Sequence, residues 1–128
     1  MPIKNVFDLK SEVVEMDGAK DVGMRLMLSE ADGAPNFNLR VFDVQPGGNT
    51  PKHSHPYEHE IFILEGKGEM LLEGEMRKIT GYDTILIPAD TEHTIVNSSD
   101  SLLRLICLIP QDLNPVAAKD DEKGFCGG

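Results

Sequence analysis

Four histidines carry the most evident chemistry in the chain. Three fall within seven positions, as His53-Ser54-His55-Pro56-Tyr57-Glu58-His59, and the fourth, His93, lies well downstream. Neutral imidazole is the common protein ligand for Mn, Fe, Zn, Ni and Cu, and a site needs only a few such groups brought to one point by rigid elements. Residues two apart on a strand share a face, so a strand over 52–55 would present His53 and His55 together. Pro56 lacks an amide hydrogen and ends that segment; His59 then opens the apolar strand that continues through Ile61 and Ile63 and faces their side. His93 stands at the mouth of another strand, Thr94-Ile95-Val96, which a closed barrel would set beside the first cluster. A lone histidine ordinarily satisfies one hydrogen bond, whereas four at these spacings point to one divalent transition metal. Four neutral imidazoles leave such a metal its full charge. A metal preferring six ligands would keep two positions for water, dioxygen, peroxide or a bidentate substrate.

Few other groups near the cluster invite a catalytic role. Tyr57 and Glu58 fall at its mouth, where either would reach a ligand histidine, although both also suit an ordinary turn. Arg40 and Arg104 lie on strands; each would anchor a carboxylate if turned inward, but an outward pairing with the abundant acids is the expected arrangement.

The elements that must position these groups read as short strands separated by turns, at 23–29, 38–44, 52–55, 58–65, 68–72, 75–80, 84–87, 93–97 and 102–109. Turn chemistry falls between them at Pro46-Gly47-Gly48-Asn49, Glu65-Gly66-Lys67-Gly68, Glu73-Gly74, Thr80-Gly81 and Asn97-Ser98-Ser99-Asp100. Such a pattern predicts an all-β sandwich or barrel. The last strand is apolar on both faces except at Arg104, so its second face needs a cover, and a homodimer is expected. The expected organisation is an N-terminal segment over 1–20, one barrel over 21–112, and a C-terminal tail over 113–128 that is disordered at its end.

With 128 residues the chain has room for one core. A net charge of -10 and a pI near 4.7 would repel a phosphate backbone, so nucleic acid is not an expected partner. No apolar run is long enough for a membrane span, and the first residues lack the apolar stretch of a secretory signal, so a cytoplasmic location is expected. The two cysteines do not suggest a disulfide: Cys107 reads as core, and Cys126 as a free thiol in a Gly-rich tail.

Together these residues resemble the cupin superfamily. Its first motif runs Gly, five residues, His-x-His, three or four residues, Glu, six residues, Gly, and is approached here from Gly47 through His53, His55 and residue 59 to Gly66. Its second motif is approached from Gly81 through Pro88 and His93 to Asn97, with one extra residue before Pro88 and Asp90 in place of a Gly. The position of the family's metal-binding Glu is taken by His59 or by Glu60; the spacing to Gly66 favours His59, and alternation forbids both from facing inward. The resemblance implies a single-domain jelly-roll β-barrel (double-stranded β-helix) with an all-histidine site at His53, His55, His59 and His93, of the kind that typically holds manganese. It further implies oxidation of a small organic substrate by dioxygen or peroxide. The alternatives are a non-catalytic small-molecule or metal-binding protein and a metal-dependent, sugar-type isomerase.

Overall fold

The computed structural model describes residues 1–111, and every strand pairing recorded within them is antiparallel. In chain order the strands are β1 (Glu12–Val13), β2 (Lys20–Leu28), β3 (Phe37–Asn49), β4 (His59–Glu65), β5 (Lys67–Leu72), β6 (Glu75–Thr80), β7 (Thr84–Ile87), β8 (His93–Val96) and β9 (Leu103–Pro110). The 13-residue β3 is the spine of the sheet. It pairs with β2 on one edge and with β9 on the other, then meets β8 only at its far end, through Asn49 and Val96. One limb continues β3-β9-β4-β7 and the other β8-β5-β6, so the sheet curls about β3 into a half-barrel.

Side-chain alternation decides which face lies inside the curl. On β9, Leu103, Leu105, Cys107 and Ile109 are all at most 1% exposed while the residues between them are half-buried. Ile61 and Ile63 of β4 lie opposite Cys107 and Leu105 and share that interior face. Full burial of each such branched side chain is worth about 1.5–3 kcal/mol, so this face dominates the stability of the limb. Gly66, between β4 and β5, has φ +90, and a Cβ there would lie 2.2 Å from the Leu102 carbonyl oxygen. No other residue fits at that close approach.

Several boundaries differ from those expected. The Pro46–Asn49 stretch is not a turn but the end of β3, where Gly47 takes φ +82 and the strand bulges instead of reversing. The 52–55 stretch is not a strand; its single bridge joins His53 to His93. The ladder with β8 holds as far as Thr50, whose amide donates to the Ile95 carbonyl at 2.9 Å, and one extra residue between Thr50 and His53 then breaks it. Continuing the register of Asn49 and Val96 would place Lys52 opposite His93, yet His53 stands there, one residue further on. Sequence reading also missed β1, which pairs with β2 and precedes the buried Val14. Cys107 is fully buried, as expected of a core residue, but it is not a free thiol, which corrects the expectation of unpaired cysteines. Cys126 and the 113–128 tail lie outside the described residues.

Candidate metal centre

His59 is the first residue of β4 and is fully buried; register places it opposite Ile87 of β7. His93 is the first residue of β8, 1% exposed and opposite Leu72 of β5. The other two histidines sit on the connection between β3 and β4. His53 is tied to His93 by a reciprocal pair of backbone hydrogen bonds of 3.2 and 3.1 Å, and is half-buried. His55 is 4% exposed, and its carbonyl accepts a 2.6 Å hydrogen bond from the Asp90 amide. Asp90 adopts φ +60, a conformation that glycine takes without cost and that Asp and Asn tolerate best among the rest. The substitution of Asp for Gly in the second motif thus keeps the backbone conformation that reaches His55.

One ring nitrogen from each of His55, His59 and His93 lies within 4.8 Å of the other two. The Nε2 atoms of His53 and His55 are 2.6 Å apart. Two nitrogens on one metal at about 2.1 Å stand roughly 3 Å apart when adjacent and about 4 Å when opposite, so the His55, His59 and His93 trio would draw in slightly and the His53–His55 pair would part slightly to reach coordination geometry. The donor chemistry fits as well. His93 Nδ1 lies 2.8 Å from the Thr91 carbonyl oxygen, which can only accept, so Nδ1 carries the hydrogen and Nε2 keeps its lone pair for a cation. Burial, reinforced by His55 and His93, lowers the His53 pKa to about 4, which keeps its ring neutral at ordinary pH.

Glu60 is exposed, as is Glu58, and both line an outer groove with Phe37 and Leu108. Arg104 also faces outward: its guanidinium donates to Asp43 and Glu65 at 2.7 Å each, and Asp43 raises its pKa. Arg40 departs from the expected outward pairing. It is fully buried on β3 opposite Cys107, with its guanidinium 6.0 Å from the Phe42 ring. Cys107 and Ile61, its neighbours across the ladder, fix the interior as the face that Arg40 shares.

Tyr57 is half-buried, and its ring lies almost parallel to two imidazoles, 5.1 Å from His55 at 8° and 5.4 Å from His59 at 9°. Reading the stretch as a turn undervalued Tyr57. The available signal was an aromatic residue midway between two candidate ligands, on a segment that bends at Pro56 and Tyr57.

Residues 40–109 match the cupin domain family. This chain belongs to the cupin family. The cupin is similar to the polyketide cyclase RemF from Streptomyces resistomycificus, at 33% identity and a TM-score of 0.83, over 88% of this chain and 80% of that one. It is also similar to polyketide synthase CurC from Streptomyces cyaneus, 28% identical over 89% of this chain and 71% of the relative. A third relative, the 1-methylthio-D-xylulose 5-phosphate methylsulfurylase of Rhodospirillum rubrum, is 30% identical over 56% of this chain. That match spans only 46% of the Rhodospirillum protein. Among the described residues, no helix is long and apolar enough to cross a membrane.

Proposed function

We propose that this cupin is a metal-dependent enzyme acting on a small organic molecule rich in carbonyl or enolate oxygens. His53, His55, His59 and His93 would be its ligands, with manganese first among Mn, Fe, Zn, Ni and Cu. The observation that carries this reading is the buried trio of His55, His59 and His93, whose donor atoms converge without a carboxylate among them. A divalent ion held by neutral ligands alone supplies strong Lewis acidity toward anionic oxygens. The protein's part is to keep the His53 ring neutral by burial, to fix the His93 tautomer through Thr91, and to exclude water from the cluster.

Similarity to the polyketide cyclase RemF and to polyketide synthase CurC favours cyclisation of a polyketide-like substrate, a reaction class that requires no external oxidant. A second reading, oxidation of the substrate by dioxygen or peroxide, is supported by the small number of imidazole donors, which would leave a six-coordinate ion open positions for an oxidant. We also read the curled sheet as a closed cupin jelly roll. We take the chain as a homodimer covered on the outer face of β4, β7 and β9, where Phe62, Leu86, Ile106 and Leu108 form an apolar groove.

The two reaction classes separate on metal replacement. Turnover of polyketide-like substrates with redox-inert Zn²⁺ and no oxygen uptake supports cyclisation. Turnover confined to Mn²⁺ or Fe²⁺, with oxygen or peroxide consumed, supports oxidation. No turnover across a broad substrate panel overturns the enzyme reading in favour of a binding module.

A further inference from the structure

We infer that Tyr57 is a positioning residue of the metal centre, because its ring packs nearly parallel against both His55 and His59 and restrains the swing of two ligands at once. The inference rests on the metal reading above. His55 and His59 are themselves stacked, 4.8 Å apart at 15°, so the three rings make a triangle of nearly parallel planes. His53 and His93 cross this set steeply, at 79° between His53 and His55 and 68° between His93 and His59. The stacked imidazoles therefore share a flat aromatic wall at Tyr57.

The wall is held from outside the site. Tyr57 packs against the hydrophobic core, and Pro56 before it fixes one backbone angle of the bend. His55, next to Pro56, is anchored at its carbonyl by the Asp90 amide. An imidazole turning about its Cβ–Cγ bond would drive an edge into the phenol ring, so a planar neighbour at stacking distance narrows the directions in which a donor nitrogen points. A branched aliphatic side chain of similar bulk fills the volume without that flat surface. Tyr57 need not touch substrate to act in this way.

The test is an optical titration of the full chain with Co²⁺, comparing wild type, Tyr57→Phe, Tyr57→Leu and Tyr57→Met, with the thermal midpoint of each metal-free protein measured alongside. Tyr57→Phe keeps the plane and should bind within a few-fold of wild type with an unchanged Co²⁺ d–d spectrum. Tyr57→Leu should bind about 10–100-fold more weakly, as outer-shell changes at metal sites do, and with an altered spectrum. If Tyr57→Leu does not fold, Tyr57→Met, which is unbranched and adaptable, gives the same comparison. Equal affinity and identical spectra for the aliphatic variants and Tyr57→Phe would overturn the positioning role alone. Failure of wild type to bind Co²⁺ would overturn the metal reading, and this inference with it.

Discussion

The candidate centre is built from two unlike halves. His59 and His93 begin strands β4 and β8, are at most 1% exposed, and inherit their positions from continuous ladders to β7 and β5. His53 and His55 ride on a connection that lies outside the strands, with one bridge at His53 and the Asp90 contact at His55. The first half is placed by the fold, and the second by a few local bonds, while the Tyr57 ring stacks on one member of each, His59 and His55. Under the proposed ligand set, two donors would come from ladder positions and two from this connection.

The largest expected effect comes from the strand-held half. His59→Ala or His93→Ala should weaken Co²⁺ or Mn²⁺ binding by more than about 100-fold, beyond the range of outer-shell changes. Replacing half-buried His53 by Ala should cost only about tenfold, because three buried donors remain. Equal losses at His53 and His93 in calorimetric titration would erase the distinction between the halves.

Backbone support of the connection should show in stability. Asp90→Val puts a β-branched residue at φ +60 and should cost about 1–2 kcal/mol, whereas Asp90→Gly should be close to neutral. Urea unfolding midpoints of the metal-free proteins read this directly.

Acid should act on the same half. His53 has a folded pKa of about 4 against 6.5 for the free side chain, so between those values the unfolded chain holds a proton that the folded protein does not. Stability therefore rises with pH across that window and is lost as pH falls through it. In the metal-free protein, His53→Gln should flatten the pH dependence of the urea midpoint between pH 4 and 6.5; an unchanged slope would place the acid sensitivity elsewhere. The smallest effect belongs to Glu60. It is exposed beside His59, and Glu60→Gln should change stability by less than about 0.5 kcal/mol and leave metal affinity intact.

Where local pattern and fold agree, the elements were legible from sequence. The alternation through His59, Ile61 and Ile63 identified the interior face of β4, and the bounds expected for 75–80 and 84–87 coincide with β6 and β7. Legibility failed where proline or glycine has two meanings. Pro46-Gly47-Gly48 carries turn chemistry yet forms a bulge within a continuing strand, since Gly47 absorbs the positive φ while β2 still pairs alongside. The histidine pair at 52–55 meets its expected neighbours without being a strand, because one extra residue between Thr50 and His53 breaks the ladder before the bridge restores it. Arg40 shows a different failure. Its side is set by pairing with Cys107 across β9, a contact between residues far apart in the chain, and no local pattern announces a guanidinium inside a curled sheet. The curl itself follows from β3 serving three neighbours, which is likewise a non-local property.

Metal analysis of the full chain, purified without chelators or added metal and then titrated with Mn²⁺, tests the central claim most directly. The account predicts a divalent transition metal approaching one equivalent per chain, as isolated or after loading, and its loss in His93→Ala. Wild-type protein that carries no transition metal and cannot be loaded with one would contradict it.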